Sequence, residues 1–278
     1  MKKDKIYTVL AFCKDGNGGN LAGVSLSGDD YSRQEKQEEA ARLGFSETVF
    51  VQISKVADYR LEYFTPVAEV PLCGHATIAT FVLMQKKGLV RPGNYSIETL
   101  AGVMKIVIEK DGTVMMEQSK PVFYDKYIPS DFDCCLQSQW IDTRFPIQVV
   151  STGLRDVFVP IDTAEHLDTL QPNFAEMIKL NTKQDVVSVH AFSIVDEAER
   201  IAVCRNFAPR YDIDEESATG TSNCALACYL HRYYSKRTKY VFEQGLSMGK
   251  PSRIEVQLIA NNDEIDEVMV GGKGLVLD

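Results

Sequence analysis

A short motif that occurs twice, about half a chain apart, constrains the fold most strongly. The first copy reads YFTP at residues 63–66 and leads to VPLCGHATIA at 70–79. The second reads NFAP at 206–209 and leads to ESATGTSNCA at 216–225. Each copy has Phe-x-Pro closing a β-rich run, then a short loop, a glycine and a helix of small and apolar residues. This repetition predicts two related halves.

The glycines of the two copies are expected at helix starts. The first N–H groups of a helix have no intrahelical partner, and they lie at the positive end of the helix dipole. Two such starts aimed at one cleft predict an anion site between the halves. Gly220 would let a ligand approach the backbone closely, and Thr221 or Ser222 is expected to cap the second helix.

Composition excludes several classes of partner. The 278 residues are 45% hydrophobic and 25% charged, which is ordinary for a soluble enzyme. The net charge of −9, with no basic cluster, argues against nucleic acid. No apolar run approaches the ~18 residues that span a bilayer, so no membrane partner is expected. The basic N-terminus leads into an alternating strand rather than a signal peptide, and we expect a cytoplasmic protein.

Cysteine and histidine spacing argues against metal and disulfide sites. The seven cysteines include no C-x-x-C pair, and the four histidines include no pair at i, i+4. We therefore expect no metal. The glycine-rich loop at 15–20 lacks the G-x-G-x-x-G spacing and a P-loop lysine, so a nucleotide site is not expected either.

Glu47 stands out as a candidate acid or base. It lies at the start of a β-rich run, just after a helix that Gly44 should end, and Phe45 and Val49 flank it. Desolvation by apolar neighbours can raise the proton affinity of a carboxylate and suit it to proton transfer near neutral pH. Taken alone, the local sequence is more typical of a solvated surface glutamate.

The succession of strands with one long helix per half predicts an α+β protein, in which each half wraps a sheet around its helix. We expect an N-terminal half at 1–120, with the C-terminal strand possibly crossing over to it. Residues 121–144 are the expected connection, and 145–278 form the C-terminal half.

Several segments together resemble the PhzF-like family, the relatives of the phenazine-biosynthesis isomerase. They are GNLA at 19–22, SETVF at 46–50, CGHAT at 73–77, RNFAP at 205–209 and ATGT at 218–221, followed by QG, MGKPS and GG near the C-terminus. The resemblance covers essentially the whole chain. It implies a diaminopimelate-epimerase-like fold of two pseudo-symmetric halves, with the active site in the cleft between them. It also implies a homodimer that needs no metal and no organic cofactor.

The resemblance assigns catalytic roles to three residues. Glu47 matches the carboxylate that moves a proton between carbons of the substrate, which one group can do if both carbons lie within its reach. His75 lies in the first ligand-binding turn. Glu216 matches the position of a usual aspartate that holds the substrate's amine or assists proton movement.

The resemblance also implies a substrate-binding set. Gly74 and His75 in the first turn, and Gly220 and Thr221 in the second, would hold a substrate carboxylate. Asn20, in the first matching segment, is assigned to substrate binding with them. The expected partner is thus a small, carboxylate-bearing, amino acid-like molecule.

Four positions depart from the family pattern. Glu216 replaces the usual aspartate, Ser217 a common proline, Thr221 the usual serine, and Leu21 a frequent proline. None of them alters Glu47. The departures therefore leave the reaction type in place and leave the substrate and the pathway open.

Two alternative functions remain. One is a two-thiol racemase or epimerase of the same fold, for which Cys73 occupies the first thiol position. Its partner position holds Thr219, which does not ionise at useful pH, and Cys224 lies further into the helix. The other alternative is a non-catalytic protein that binds a small molecule or a partner. Activity lost in Glu47→Gln would separate catalysis from binding.

Overall fold

The computed structural model describes residues 5–261 and 264–278. Within it the chain divides into two structural units. The first unit extends to Glu117 and includes the C-terminal segment Gly271–Asp278, and the second is Gln118–Val270. No helix in the described ranges is long and apolar enough to cross a membrane.

The first unit is built mainly from β-strands. Its strands are β1 Tyr7–Ala11, β2 Asn20–Ser25, β3 Glu47–Gln52, β4 Tyr59–Phe64, β5 Glu69–Val70, β6 Gly93–Thr99, β7 Gly102–Ile108, β8 Val114–Gln118 and the C-terminal β18 Gly274–Val276; its helices are α1 Arg33–Leu43 and α2 Gly74–Lys86. Strands β2 and β3 pair in parallel, as do β4 and β6, while β1–β18, β1–β2, β3–β4, β6–β7 and β7–β8 are antiparallel.

The second unit is likewise built mainly from β-strands. Its strands are β9 Val122–Tyr127, β10 Ile147–Ser151, β11 Arg155–Pro160, β12 Ser188–Ile194, β13 Ala202–Ala208, β14 Ile213–Glu216, β15 Lys239–Gln244, β16 Ser252–Asn261 and β17 Glu264–Gly272; its helices are α3 Ala164–Thr169, α4 Phe174–Gln184 and α5 Gly220–Tyr233. Strands β11 and β12 pair in parallel, as do β13 and β15, while β9–β10, β10–β11, β12–β13 and β15–β16 are antiparallel. The predicted α+β class is confirmed.

One helix in each unit is buried on nearly all sides. Helix α2 packs on β1, β2, β3 and β18, and α5 packs on β10, β11 and β16. From Asn223 to His231 every residue of α5 is buried, which is why its sequence lacks a polar face. The small residues of these helices let strands approach them closely from several directions.

The helices differ in how their N-termini are capped. Ser32 and Glu35 form a capping box at the start of α1, and Gly44 ends that helix, as predicted, in a left-handed conformation. Thr163 and Asn173 cap α3 and α4 through their side chains. By contrast, no side-chain cap is found at α2 or α5 in the ranges described.

The sequence did not predict two local features of the fold. Asn20, expected to end an exposed loop, begins β2, because pairing with β1 and β3 stabilises a strand rich in small residues. Residues 121–144, expected as a connection, contain β9, and they contribute Phe132, Cys135 and Leu136 to a core cluster of the second unit. Tertiary packing outweighed weak local periodicity in both places.

Candidate active site

In the first unit, two strands and one helix begin at the same edge of the sheet. Strands β2 and β3 are parallel, with Ala22 opposite Glu47, so both begin at the same edge of the sheet. Asn20 is the first residue of β2, and Glu47 is the first residue of β3. Helix α2 begins over this edge and places His75 in its first turn. The local fold therefore brings together residues from three separate segments.

His75 is the centre of this cluster. Its Nε2 lies 3.2 Å from Glu47 Oε2, and its Nδ1 lies 3.4 Å from Asn20 Nδ2. Glu47 Oε2 is shielded from solvent, and among the described residues no group is oriented to donate a hydrogen bond to it. A buried carboxylate oxygen without a donor is rare in folded proteins, and such atoms cluster at functional sites.

Burial keeps the His75 imidazole neutral. It lowers the pKa of His75 below its usual value, and Glu47 and a hydrogen bond to the Leu21 backbone only partly oppose this effect. A neutral imidazole has one nitrogen that donates and one that accepts. His75 is therefore equipped to orient Glu47 or a ligand without adding a positive charge.

Cys73 adjoins the same cluster. Its Sγ lies 3.4 Å from His75 Nδ1, and the residue is 9% exposed. The potential ligand atoms of Glu47, Cys73 and His75 all lie within 4.8 Å of one another. Sequence spacing did not group these three residues, because Cys73 and His75 lie at the start of α2 whereas Glu47 begins β3 in a separate segment.

Gly74 leaves the start of α2 open. A Cβ atom at this position would meet no heavy atom within 4 Å. Together with the absence of a side-chain cap among the described residues, this leaves room for a ligand at the first N–H groups of the helix. The turn fits the predicted role of holding a carboxylate.

In the second unit, Gln244 holds the turn before α5. Its Nε2 donates to the Glu216 carbonyl at 2.7 Å and to Thr219 Oγ1 at 3.0 Å. Its Oε1 accepts from the Thr219 N–H at 3.3 Å and from Asn223 Nδ2 at 2.8 Å. Thr219 Oγ1 also donates to the Glu216 carboxylate at 3.0 Å. One buried amide therefore fixes the backbone and the side chains of residues 216–223.

The start of α5 corrects one prediction. Thr219, not Thr221 or Ser222, is the N-cap residue, and Gly220 is the first residue of the helix. Thr221 lies in the first turn, where its carbonyl accepts from Thr152 Oγ1 at 3.2 Å. Ser222 points into the protein and is 1% exposed. The helix begins earlier because Gln244 and Asn223 stabilise the turn in place of a local cap.

Beneath α5 lies a buried polar cluster. Ser222 Oγ donates to Asp156 Oδ2 at 2.7 Å, and Ser188 Oγ donates to Asp156 Oδ1 at 2.8 Å. Asn206 Nδ2 lies 2.8 Å from Ser188 Oγ and 3.0 Å from His190 Nδ1. Burial raises the pKa of Asp156 to about 6 and lowers that of His190 to about 3, although hydrogen bonds oppose both shifts.

Comparison with known proteins identifies the family of the chain. Residues 9–278 match the PhzC-PhzF family, described as phenazine biosynthesis-like proteins. The chain belongs to this family. Such a match covers nearly the whole sequence, including every segment on which the resemblance was based.

Three PhzF-family proteins illustrate the relationship. An uncharacterised isomerase of Bacillus subtilis, YfhB, is 33% identical over 98% of this chain and 96% of its own length. The trans-2,3-dihydro-3-hydroxyanthranilate isomerase of Pseudomonas aeruginosa is 28% identical over 96% of this chain and 95% of its own. The crystal structure of a PhzF-family phenazine biosynthesis protein from Bacillus anthracis superimposes with a TM-score of 0.91, at 28% identity, covering 100% of this chain and 98% of that one.

Within this PhzF-family chain, the predicted site residues fall into two groups. Asn20, Glu47, Gly74 and His75 lie together in the first unit. Glu216, Gly220 and Thr221 lie around the start of α5 in the second. Their catalytic and binding roles remain predictions.

Sequence reasoning missed the residues that hold the second turn. Gln244 belongs to the QG segment that entered the family resemblance, but no role was assigned to it. Gly245 has φ +79°, and a Cβ there would lie 2.4 Å from the Lys250 carbonyl oxygen and 2.8 Å from that of Ser217. The Gln-Gly pair at 244–245 could have indicated this turn from the sequence, since only glycine tolerates such a φ and such close backbone oxygens at Gly245.

Proposed function

We propose that this isomerase uses Glu47 as a general acid and base, which moves a proton between carbons of a small, amino acid-like carboxylate. The observation that carries the proposal is the position of Glu47 Oε2. It is shielded from solvent, 3.2 Å from a neutral imidazole, and without a hydrogen-bond donor among the described residues. Such an oxygen is available to take a proton from a substrate.

The proton transfer would proceed in two steps. The Glu47 carboxylate accepts a proton from one carbon of the substrate, and the electron pair left behind is delocalised in the substrate. The resulting carboxylic acid then returns the proton to another carbon within its reach. His75 Nε2 lies 3.2 Å from Glu47 Oε2 and Asn20 contacts His75 Nδ1, so the imidazole limits where the Glu47 carboxylate can move in both steps.

The substrate carboxylate would bind at the start of α2. Gly74 leaves space there, and the first N–H groups of the helix favour an anion. We assign Gly220 and Thr221 to the same task, and Glu216 to the substrate's amine. Glu216 is suited to this because Thr219 Oγ1 steadies one of its carboxylate oxygens.

The family resemblance supports three further parts of the proposal. They are a pseudo-symmetric, diaminopimelate-epimerase-like arrangement with the active site in the cleft between the halves, a homodimer, and independence of organic cofactors. The relative from Pseudomonas aeruginosa is named for a dihydro-hydroxyanthranilate, which carries both a carboxylate and an amine. We propose a substrate with these two groups, without assigning that compound to this chain.

Solvent hydrogen exchange tests the reaction. The protein is incubated in D2O with a panel of amino acids, amino-dihydroaromatic acids and related carboxylates, and mass spectrometry reports the deuterium taken up. Uptake by one compound that is lost in Glu47→Gln supports the proposal. Uptake that survives Glu47→Gln but is lost in Cys73→Ala contradicts it and favours a thiol base.

A further inference from the structure

Three side chains with different metal-binding atoms converge at the start of α2. Cys73 Sγ lies 3.4 Å from His75 Nδ1 and 4.0 Å from His75 Nε2. Glu47 Oε2 lies 3.2 Å from His75 Nε2. The ligand atoms of the three residues fall within 4.8 Å of one another, and this is the one such group found in the described ranges.

These separations suit a tetrahedral zinc ion. Zn²⁺ binds sulfur at about 2.3 Å, imidazole nitrogen at about 2.0–2.1 Å and carboxylate oxygen at about 2.0–2.2 Å. Tetrahedral angles then place the ligand atoms roughly 3.3–3.6 Å apart. The 3.2 Å and 4.0 Å separations from His75 Nε2 lie on either side of this range, and the three ligand atoms lie within 4.8 Å of one another, so binding would require side-chain rotations that draw Cys73 closer.

A further observation points to a cation. Glu47 Oε2, the oxygen nearest His75 Nε2, is buried and accepts no well-oriented hydrogen bond among the described residues. Binding of an ion at Nε2 places the ring proton on Nδ1, which lies 3.4 Å from Asn20 Nδ2, so the Asn20 amide would have to turn its oxygen toward that proton. The cluster therefore has an unsatisfied negative atom that a cation would neutralise.

We propose that Glu47, Cys73 and His75 form a binding site for a thiophilic divalent cation, best matched by Zn²⁺, and that the bound ion excludes the substrate. The mixed sulfur, nitrogen and oxygen set favours Zn²⁺ over Mg²⁺ or Ca²⁺. On binding, the thiol of Cys73 releases its proton to solvent as the sulfur–metal bond forms. A water molecule takes the fourth position. Since the ion occupies Glu47, metal binding and proton transfer are mutually exclusive.

Cobalt spectroscopy tests the site without any substrate. Co²⁺ substitutes for Zn²⁺ and gives a thiolate-to-metal charge-transfer band when a cysteine binds it. The measurement uses Cys134→Ser protein, which lacks the exposed thiol of Cys134. We expect the band in this protein, its loss when Cys73→Ala or Cys73→Ser is added, and its bleaching by one equivalent of Zn²⁺. Near-UV circular dichroism verifies that each variant is folded.

The other residues sharpen the test. Asn20→Ala should weaken Co²⁺ binding on the order of 10- to 100-fold, because the His75 Nδ1–H of the metal-bound ring would lose the amide oxygen that could accept it. Glu47→Gln should weaken it at least as much.

A band that persists in folded Cys73→Ala, or no band in the Cys134→Ser protein at millimolar Co²⁺, overturns the site. In the exchange reaction, Zn²⁺ inhibition should be relieved by more substrate, and inhibition that substrate does not relieve overturns the exclusion.

Discussion

Each unit has a carboxylate at the start of a parallel strand pair, but the two carboxylates differ in how their oxygens are hydrogen-bonded. In each, a parallel strand pair begins beneath the N-terminus of the buried helix: Ala22 is opposite Glu47 in the first unit, and Asp156 is opposite Ser188 in the second. At the first edge, Glu47 has an oxygen without a well-oriented donor among the described residues. At the second, both oxygens of Asp156 accept hydrogen bonds from serine hydroxyls.

The difference in hydrogen bonding suits one carboxylate to proton transfer and the other to stabilising the fold. A satisfied, buried polar cluster specifies packing, and its groups are not free to bind a ligand. An unsatisfied carboxylate beside a neutral imidazole costs stability and remains available for proton transfer. This difference supports the proposal that acid–base chemistry belongs to the first unit, while the polar cluster of the second unit holds α5.

The largest expected effect comes from substituting one polar residue at each of the two strand pairs, Glu47 in the first unit and Ser188 in the second. Glu47→Gln should lower the exchange rate by about 10²- to 10⁴-fold, because it removes the acid–base group, and should leave the melting temperature unchanged or higher. Ser188→Ala, at the position opposite Asp156, should lower stability and leave the exchange rate within a few fold. Thermal melts and deuterium uptake on both variants check this. Equal loss of activity in the two would break the comparison.

Next in size is the effect of removing the buried amide of the second turn. Gln244→Ala removes the donor to the Glu216 carbonyl and the acceptor for the Thr219 N–H and for Asn223 Nδ2, although Asn223 Nδ2 keeps its hydrogen bond to the Thr219 carbonyl. Since each buried unsatisfied group costs roughly 1–3 kcal/mol, we expect a loss of about 3 kcal/mol in the free energy of unfolding. Urea denaturation measures it, with exposed Gln34→Ala as a control expected within about 0.5 kcal/mol. A loss no larger than that of the control would contradict the role of Gln244.

A smaller effect distinguishes the two candidate glutamates. Glu216→Gln keeps an acceptor for Thr219 Oγ1 but removes the charge proposed to hold an amine. Charged hydrogen bonds contribute about 2 kcal/mol, so kcat/KM should fall roughly 30-fold, mainly through a higher KM. Steady-state kinetics on the identified substrate measure this. A fall in kcat as large as that of Glu47→Gln would instead place catalytic chemistry in both units.

The smallest expected effect is a pH dependence of stability. The pKa of Asp156 is raised to about 6, so the folded protein binds this proton more tightly than the unfolded chain does. Its stabilising contribution is complete below the unfolded pKa near 4 and is lost as pH rises through about 6. Relative to Asp156→Asn, the unmodified protein should gain about 1 kcal/mol between pH 7 and pH 5.

Denaturation of both proteins at the two pH values measures this gain. His190 acts in the opposite direction: its pKa of about 3 means that stability is lost as pH falls from about 6.5, where the unfolded histidine begins to bind a proton. Because both proteins contain His190, the difference between them isolates Asp156. An identical pH dependence in the two would show that Asp156 is not the buried titrating group.

Local signals accounted for much of the fold. The Ser-x-x-Glu spacing at Ser32 and Glu35, with Gly44 at the other end, is typical of a helix such as α1, and the β-rich run Tyr59–Phe64 is typical of a strand such as β4. These elements are readable because caps and side-chain alternation act over a few residues. Glu47 was singled out in the same way, from its place after a helix stop and before a β-rich run.

The sequence by itself determined the α+β class, the family and the positions of the two glycine turns, since each of these is written in contiguous residues. Only the tertiary structure decided which side chains meet there. Asp156 with Ser188 and Ser222, Gln244 with Glu216, and Cys73 with Glu47 are brought together by strand pairing and helix packing across long stretches of chain. Such contacts depend on register and burial, which no local pattern encodes.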